Sequence, residues 1–144
     1  MSLSVRSYAA DDAGALGHVM HRSVREGAAK CYDEAQVSAW CPSPPEGVRW
    51  SERLAWAETV VAEKDARPVG FMAMDQTGYI DLAFVLPEEM GQGVADAIYA
   101  VLEGRARSQG VETLTTQASL LAEPFFLRRG WTCLLYTSPS PRDS

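Results

Sequence analysis

The spacing of apolar and polar positions changes several times along the chain. Leu3, Val5 and Ser7 alternate with their neighbours and predict a short strand ending at about Tyr8. Leu16, Val19, Met20 and Val24 then recur at helical spacing behind two candidate N-caps, Asp11 and Asp12. They predict a helix to about Ala29. Asp33 opens a second helical stretch, Glu34 to Trp40. Pro42, Pro44 and Pro45 make Cys41 to Gly47 a loop. Arg49 to Ala57 reads as another short helix.

From Glu58 the period shortens. Thr59 to Glu63, Val69 to Met74 and Tyr79 to Val85 read as three strands, with turns near Asp65 to Pro68 and Gln76 to Gly78. Consecutive strands with short turns pair antiparallel. Gly93 to Gln109 is an amphipathic helix striped by Val94, Ile98, Val101 and Leu102, and Gly110 ends it. Glu112 to Gln117 reads as a strand. A short helix follows, ending at Arg129 with Pro124 in its first turn, and Trp131 starts a last strand. A strand–helix–strand crossover from Tyr79 to Gln117 implies one parallel pair in a mostly antiparallel sheet. The expected class is mixed α/β, with helices covering the sheet.

Composition narrows the function classes. The 144 residues suit one domain, and 47% apolar with 22% charged residues fits a folded chain. No apolar run is long enough to span a bilayer. Met1 to Asp12 has neither the basic start nor the apolar core of a secretory signal. A cytoplasmic protein is expected. The net charge of −6 leaves no basic face for nucleic acid, and no membrane partner is indicated. Cys31, Cys41 and Cys133 show no paired spacing, and His18 and His21 lack a third ligand. No metal site is expected.

Chemistry concentrates in Val85 to Ala95, between a strand and the start of the long helix. Glycines there let the backbone turn tightly and approach a ligand. The first amides of a helix have no internal partner, and with the positive end of the helix dipole they attract an anion. A phosphate or diphosphate is the expected guest; a plain turn is the alternative. A P-loop is excluded, because Val94-Ala95 stands where Lys-Ser/Thr is required. A dinucleotide fingerprint is excluded too, because Asp96 occupies its third glycine position.

The segment resembles the GNAT acyl-CoA-dependent N-acyltransferases. Val85-Leu86-Pro87 matches their V-x-P element, and Met90-Gly91-Gln92-Gly93-Val94-Ala95 matches Q/R-x-x-G-x-G/A, with Met90 in place of Gln or Arg. Leu114 to Ser119 and Pro124-Phe125-Phe126-Leu127-Arg128-Arg129-Gly130-Trp131 resemble the family's downstream elements. Tyr32 to Trp40 resembles one bacterial branch. The likeness runs from about Leu3 to Thr132 and implies a single GNAT-like domain over 1–132.

That resemblance implies acetyl-CoA as co-substrate and a small-molecule or peptide amine as acceptor. The diphosphate would sit on the amides from Gln92 to Ala95, in a loop that includes Met90, Gly91 and Gly93. The pantetheine arm would lie along Asp81 to Val85, touching Ala83, Phe84 and Val85, with Phe125 as a wall or else a core residue. An amine would attack the thioester directly. Asp81, in an apolar run, is the candidate base if buried; capping a backbone group or pairing with an arginine is the alternative, and Glu63 is a second candidate. Phe126 stands where many members carry an acidic tyrosine, so Ser119 becomes the candidate proton donor, or else an N-cap. Tyr32, Trp40, Trp50 and Trp56 are candidates for the acceptor wall or for plain packing. An acyl-CoA-binding domain with little turnover is the alternative to an enzyme, and a small-molecule binding module a third class.

Cys133 to Asp143 departs from the family pattern and resembles a translated sequencing-library adaptor. The expectation is a C-terminally truncated domain with a non-native tail over 133–144. It would have an open edge on the strand at Glu112 to Gln117, aggregation or homodimer pairing there, and little order beyond about Tyr136.

Overall fold

The computed structural model describes residues 3–27, 43–111, 114–116 and 136–137. Among them, six strands form one sheet in chain order, β1 to β6. These are β1 (Leu3–Ser7), β2 (Glu58–Lys64), β3 (Arg67–Met74), β4 (Tyr79–Val85), β5 (Thr115–Thr116) and β6 (Tyr136–Thr137). The helices are α1 (Ala13–Arg22), α2 (Gly47–Trp56) and α3 (Val94–Ser108). β1 to β4 pair antiparallel, β4 pairs with β5 in parallel, and β5 with β6 antiparallel. The expected mixed sheet with one parallel pair is what forms.

Alternation along the strands sends side chains to two cores. Val60, Ala62, Met72 and Met74 face Val94, Ile98, Tyr99 and Leu102 of α3. Val61, Phe71, Ala73 and Leu82 face Leu16 and Val19 of α1 and Trp50 and Leu54 of α2. The result is three layers, helix–sheet–helix. Gly70 lets the first turn of α3 settle on the sheet. A Cβ there would lie 3.1 Å from Val94 Cγ1 and 3.2 Å from Ile98 Cδ1.

Local details differ from the sequence reading in four places. Asp12 does not cap α1 with its side chain; its carboxylate accepts the Ala9 amide at 2.8 Å and two bonds from the Arg6 guanidinium. Two close donors outcompete the helix amides. The stretch expected to continue α1 widens instead into a π-turn over Ser23–Gly27. The turn expected at Asp65 to Pro68 is tighter, and β3 already begins at Arg67. Finally, Thr115 and Thr116 pair with Thr137 and Tyr136, so the edge expected to be open is covered at these two positions. Strand pairing needs only backbone donors and acceptors, and Tyr and Thr suit extended backbone.

Several expectations lie outside the described residues. These are the helix Glu34 to Trp40, the helix ending at Arg129, the strand from Trp131, and Tyr32, Cys31, Cys41, Ser119, Phe125, Phe126 and Cys133.

Candidate active site

β4 is the strand that leads into the candidate site. Its pairing with β5 involves Tyr79 and Ile80 alone among the described residues. Leu82 is opposite Ala73 and Ile80 opposite Met74, so Asp81 is the extra residue of a bulge. The bulge follows directly on Ile80, which pairs with Thr116. Beyond it, Ala83 and Val85 pack partly against the α3 core, while Phe84 packs against the other, with its ring 5.9 Å from that of Phe71.

The bulge also settles what Asp81 does locally. The side chain is 40% exposed rather than buried, and the arginine pair given as the alternative is what forms. Arg53 of α2 donates to Asp81 Oδ2 from Nη2 at 2.5 Å and from Nε at 3.0 Å. An extra residue drops out of the inward alternation of the strand, and the guanidinium meets it at the surface. Glu63 is removed from the site altogether. It lies on β2, two strands away, and pairs with Arg6 at 3.1 Å.

The glycine loop follows β4. The Leu86 amide bonds to the Val69 carbonyl at 2.8 Å, which fixes the strand's exit. Pro87–Glu89 makes one 3-10 turn. Gly91 and Gly93 then take φ of +80° and +84°, a region glycine enters without steric cost. Gly93 is also the N-cap of α3, and no side chain caps that end. The first helical bond runs from the Ala97 amide to the Gly93 carbonyl, so the first-turn amides of Val94 and Ala95 precede any acceptor inside the helix. Gly91, Gln92 and Gly93 are exposed. A Cβ at either glycine would meet nothing within 4 Å, so there is room for a ligand against the backbone. Met90 stands beside the loop, 42% exposed.

Two acidic residues of the loop are neutralised. Arg22 grips Glu88 and Glu26, and its hydrogen bonds hold both carboxyls below their ordinary range. Lys64 pairs with Glu89 at 2.6 Å. Neither partner was visible in the sequence, because Lys64 and Arg22 lie far from the loop in the chain.

Among the aromatic candidates, Trp50 is core. It is buried, sits edge-on to Phe71, and donates from Nε1 to the Ala13 carbonyl at 2.8 Å. Trp56 is 79% exposed at the end of α2. Among the described residues, no group of three His, Cys, Asp or Glu side chains is placed to hold a metal. Among the same residues, no helix is long and apolar enough to cross a membrane.

The site is a strand–loop–helix junction beside the parallel pair of β4 and β5, with two left-handed glycines and an uncapped helix start. The acetyltransferase (GNAT) domain model matches residues 28–139, and the chain belongs to that family. It is 36% identical over 130 residues to the uncharacterized N-acetyltransferase YafP of Escherichia coli K12, covering 90% of this chain and 81% of YafP. A GCN5-related N-acetyltransferase from Rhodopseudomonas palustris superposes with a TM-score of 0.87 at 26% identity, covering 95% and 94% of the two chains. The PaiA N-acetyltransferase of Thermoplasma acidophilum, solved with coenzyme A, superposes at 0.80 with 14% identity, covering 95% and 97%, and shares the fold.

Proposed function

We propose that the chain transfers an acetyl group from acetyl-CoA to a primary amine by direct attack in a ternary complex. The observation that carries this reading is the junction of β4 and α3. There, two left-handed glycines and an uncapped helix start present backbone amides beside open space. A diphosphate carries the charge and the acceptors such a start attracts. Family relatives support the choice of guest, since PaiA was solved with coenzyme A.

The thioester would lie along Asp81 to Val85 of β4. The amine nitrogen attacks the thioester carbonyl carbon, the C–S bond breaks, and the thiolate of CoA leaves. Two proton movements remain. Asp81, on the bulge, receives the proton of the attacking ammonium directly or through water. Ser119 is our candidate donor to the thiolate, on sequence grounds. The rest of the protein's task is positioning.

Calorimetric titration with CoA, followed by acetyl transfer to a panel of amines, tests this reading. Binding with transfer is the expected result. Binding without transfer would make the chain an acyl-CoA-binding domain. Absence of CoA binding would end both readings.

A further inference from the structure

The loop holding Gly91 and Gly93 is fastened by two cations from distant parts of the chain. Arg22, the last residue of α1, reaches Glu88 through Nη1 at 3.0 Å and Nη2 at 2.8 Å. Lys64, the last residue of β2, reaches Glu89 Oε1 at 2.6 Å and Gln92 Oε1 at 3.2 Å. Gln92 Nε2 donates in turn to the Glu88 carbonyl at 3.0 Å. Both ends of the Gln92 amide are therefore engaged, one by Lys64 and one by the loop's own backbone.

The two fastenings are unequal. Arg22 and Glu88 are 38% and 52% exposed, whereas Lys64 and Glu89 are 23% and 18% exposed. Water and salt weaken the first pair more than the second. The position of Lys64 is itself set by the backbone. Asp65 and Ala66, which follow it, both take positive φ, +52° and +63°. That is the geometry of a tight two-residue hairpin, and it holds the end of β2 at the sheet end where β4 leaves.

We propose that Lys64 is a positioning residue for the loop. By bridging Glu89 and Gln92 it holds the turn from Glu88 to Gly93 in the one shape that converges the amides of Gln92 to Ala95. The proposal rests on the diphosphate reading of that loop. Glycines make the turn possible but leave it many shapes. Met90 offers no side-chain donor to select one. A shielded ammonium held by two loop side chains does select one, before any ligand arrives, and so lowers the ordering cost of binding.

Three variants, Lys64→Met, Lys64→Arg and Glu89→Gln, test this by CoA titration, steady-state kinetics and amide hydrogen exchange of the ligand-free protein. K64M is expected to weaken CoA binding about tenfold, the loss of one charge-assisted bond. KM for acetyl-CoA should rise in step, with a much smaller change in kcat. K64R should recover most of the affinity. E89Q should also weaken binding, and the double variant should be no worse than K64M. Without ligand, amides 90–95 should exchange faster in K64M, while those of Ile98 and Leu102 stay unchanged. Tighter CoA binding by E89Q would show Lys64 acting as a bare charge on the phosphates and would overturn the proposal. Unchanged loop exchange in K64M would overturn it as well. If the unmodified protein binds no CoA, the diphosphate reading falls, and the exchange experiment still decides the role of Lys64.

Discussion

Arg53 of α2 and Asp81 of β4 join the helix to the sheet at the bulge between Ile80 and Leu82. Two bonds to one carboxylate oxygen hold the guanidinium there. If Asp81 handles the proton of the amine, D81N should lower kcat by about a hundredfold or more, within the range for a positioned base. The exposed pair contributes little to folding, about 0–1 kcal/mol. R53Q should therefore cost far less activity than D81N. Equal, small losses in both variants, measured by acetyl transfer, would leave Asp81 only a tether.

Gly93 combines a positive φ with the N-cap of α3. G93A forces an alanine into the left-handed region, at a cost of about 1–3 kcal/mol, and puts a methyl group into the space beside the amides. CoA affinity should fall by more than tenfold, while the melting temperature drops by a few degrees. Calorimetry and thermal denaturation measure the two effects separately.

Asp12 gives the fold an acid-sensitive joint. Hydrogen bonds from Arg6 hold its carboxyl below the ordinary range. The unfolded chain therefore binds more protons than the native one as pH falls past the usual carboxylate range. The stabilisation is fully present above the unfolded pKa and is lost as pH drops through the lowered native value. D12N should cost about 1–2 kcal/mol at pH 7. Urea melts of D12N and the unmodified protein should converge at the most acid pH at which both still fold.

Gly17 sits where α1 meets the loop before α2. A Cβ there would overlap the Pro45 carbonyl oxygen, and backbone cannot swing aside as a side chain would. G17A should destabilise the protein by about 1–3 kcal/mol. Chemical denaturation checks this, and an unchanged midpoint would mean that the segment at Pro45 yields freely.

Ala66 should respond in the opposite sense. Its φ of +63° suits glycine, so A66G should raise stability by about 0.5–1 kcal/mol, with the hairpin and the reach of Lys64 preserved.

The sequence by itself determined the strands, the long helix, the parallel crossover and the glycine loop. The period of apolar residues and the demands of Gly and Pro act over a few positions, and they are written in adjacent residues. The match of Tyr79–Val85 to the expected strand is of this kind. Tertiary structure decided which charges meet. Arg53 lies 28 positions from Asp81, and Lys64 lies 28 from Gln92. No local pattern encodes those distances. The bulge that turns Asp81 outward arises from the register between β3 and β4, and register belongs to a pair of strands rather than to either one. A carboxylate in an apolar run thus became an exposed ion pair, and a lysine ending a strand became a fastening for the loop.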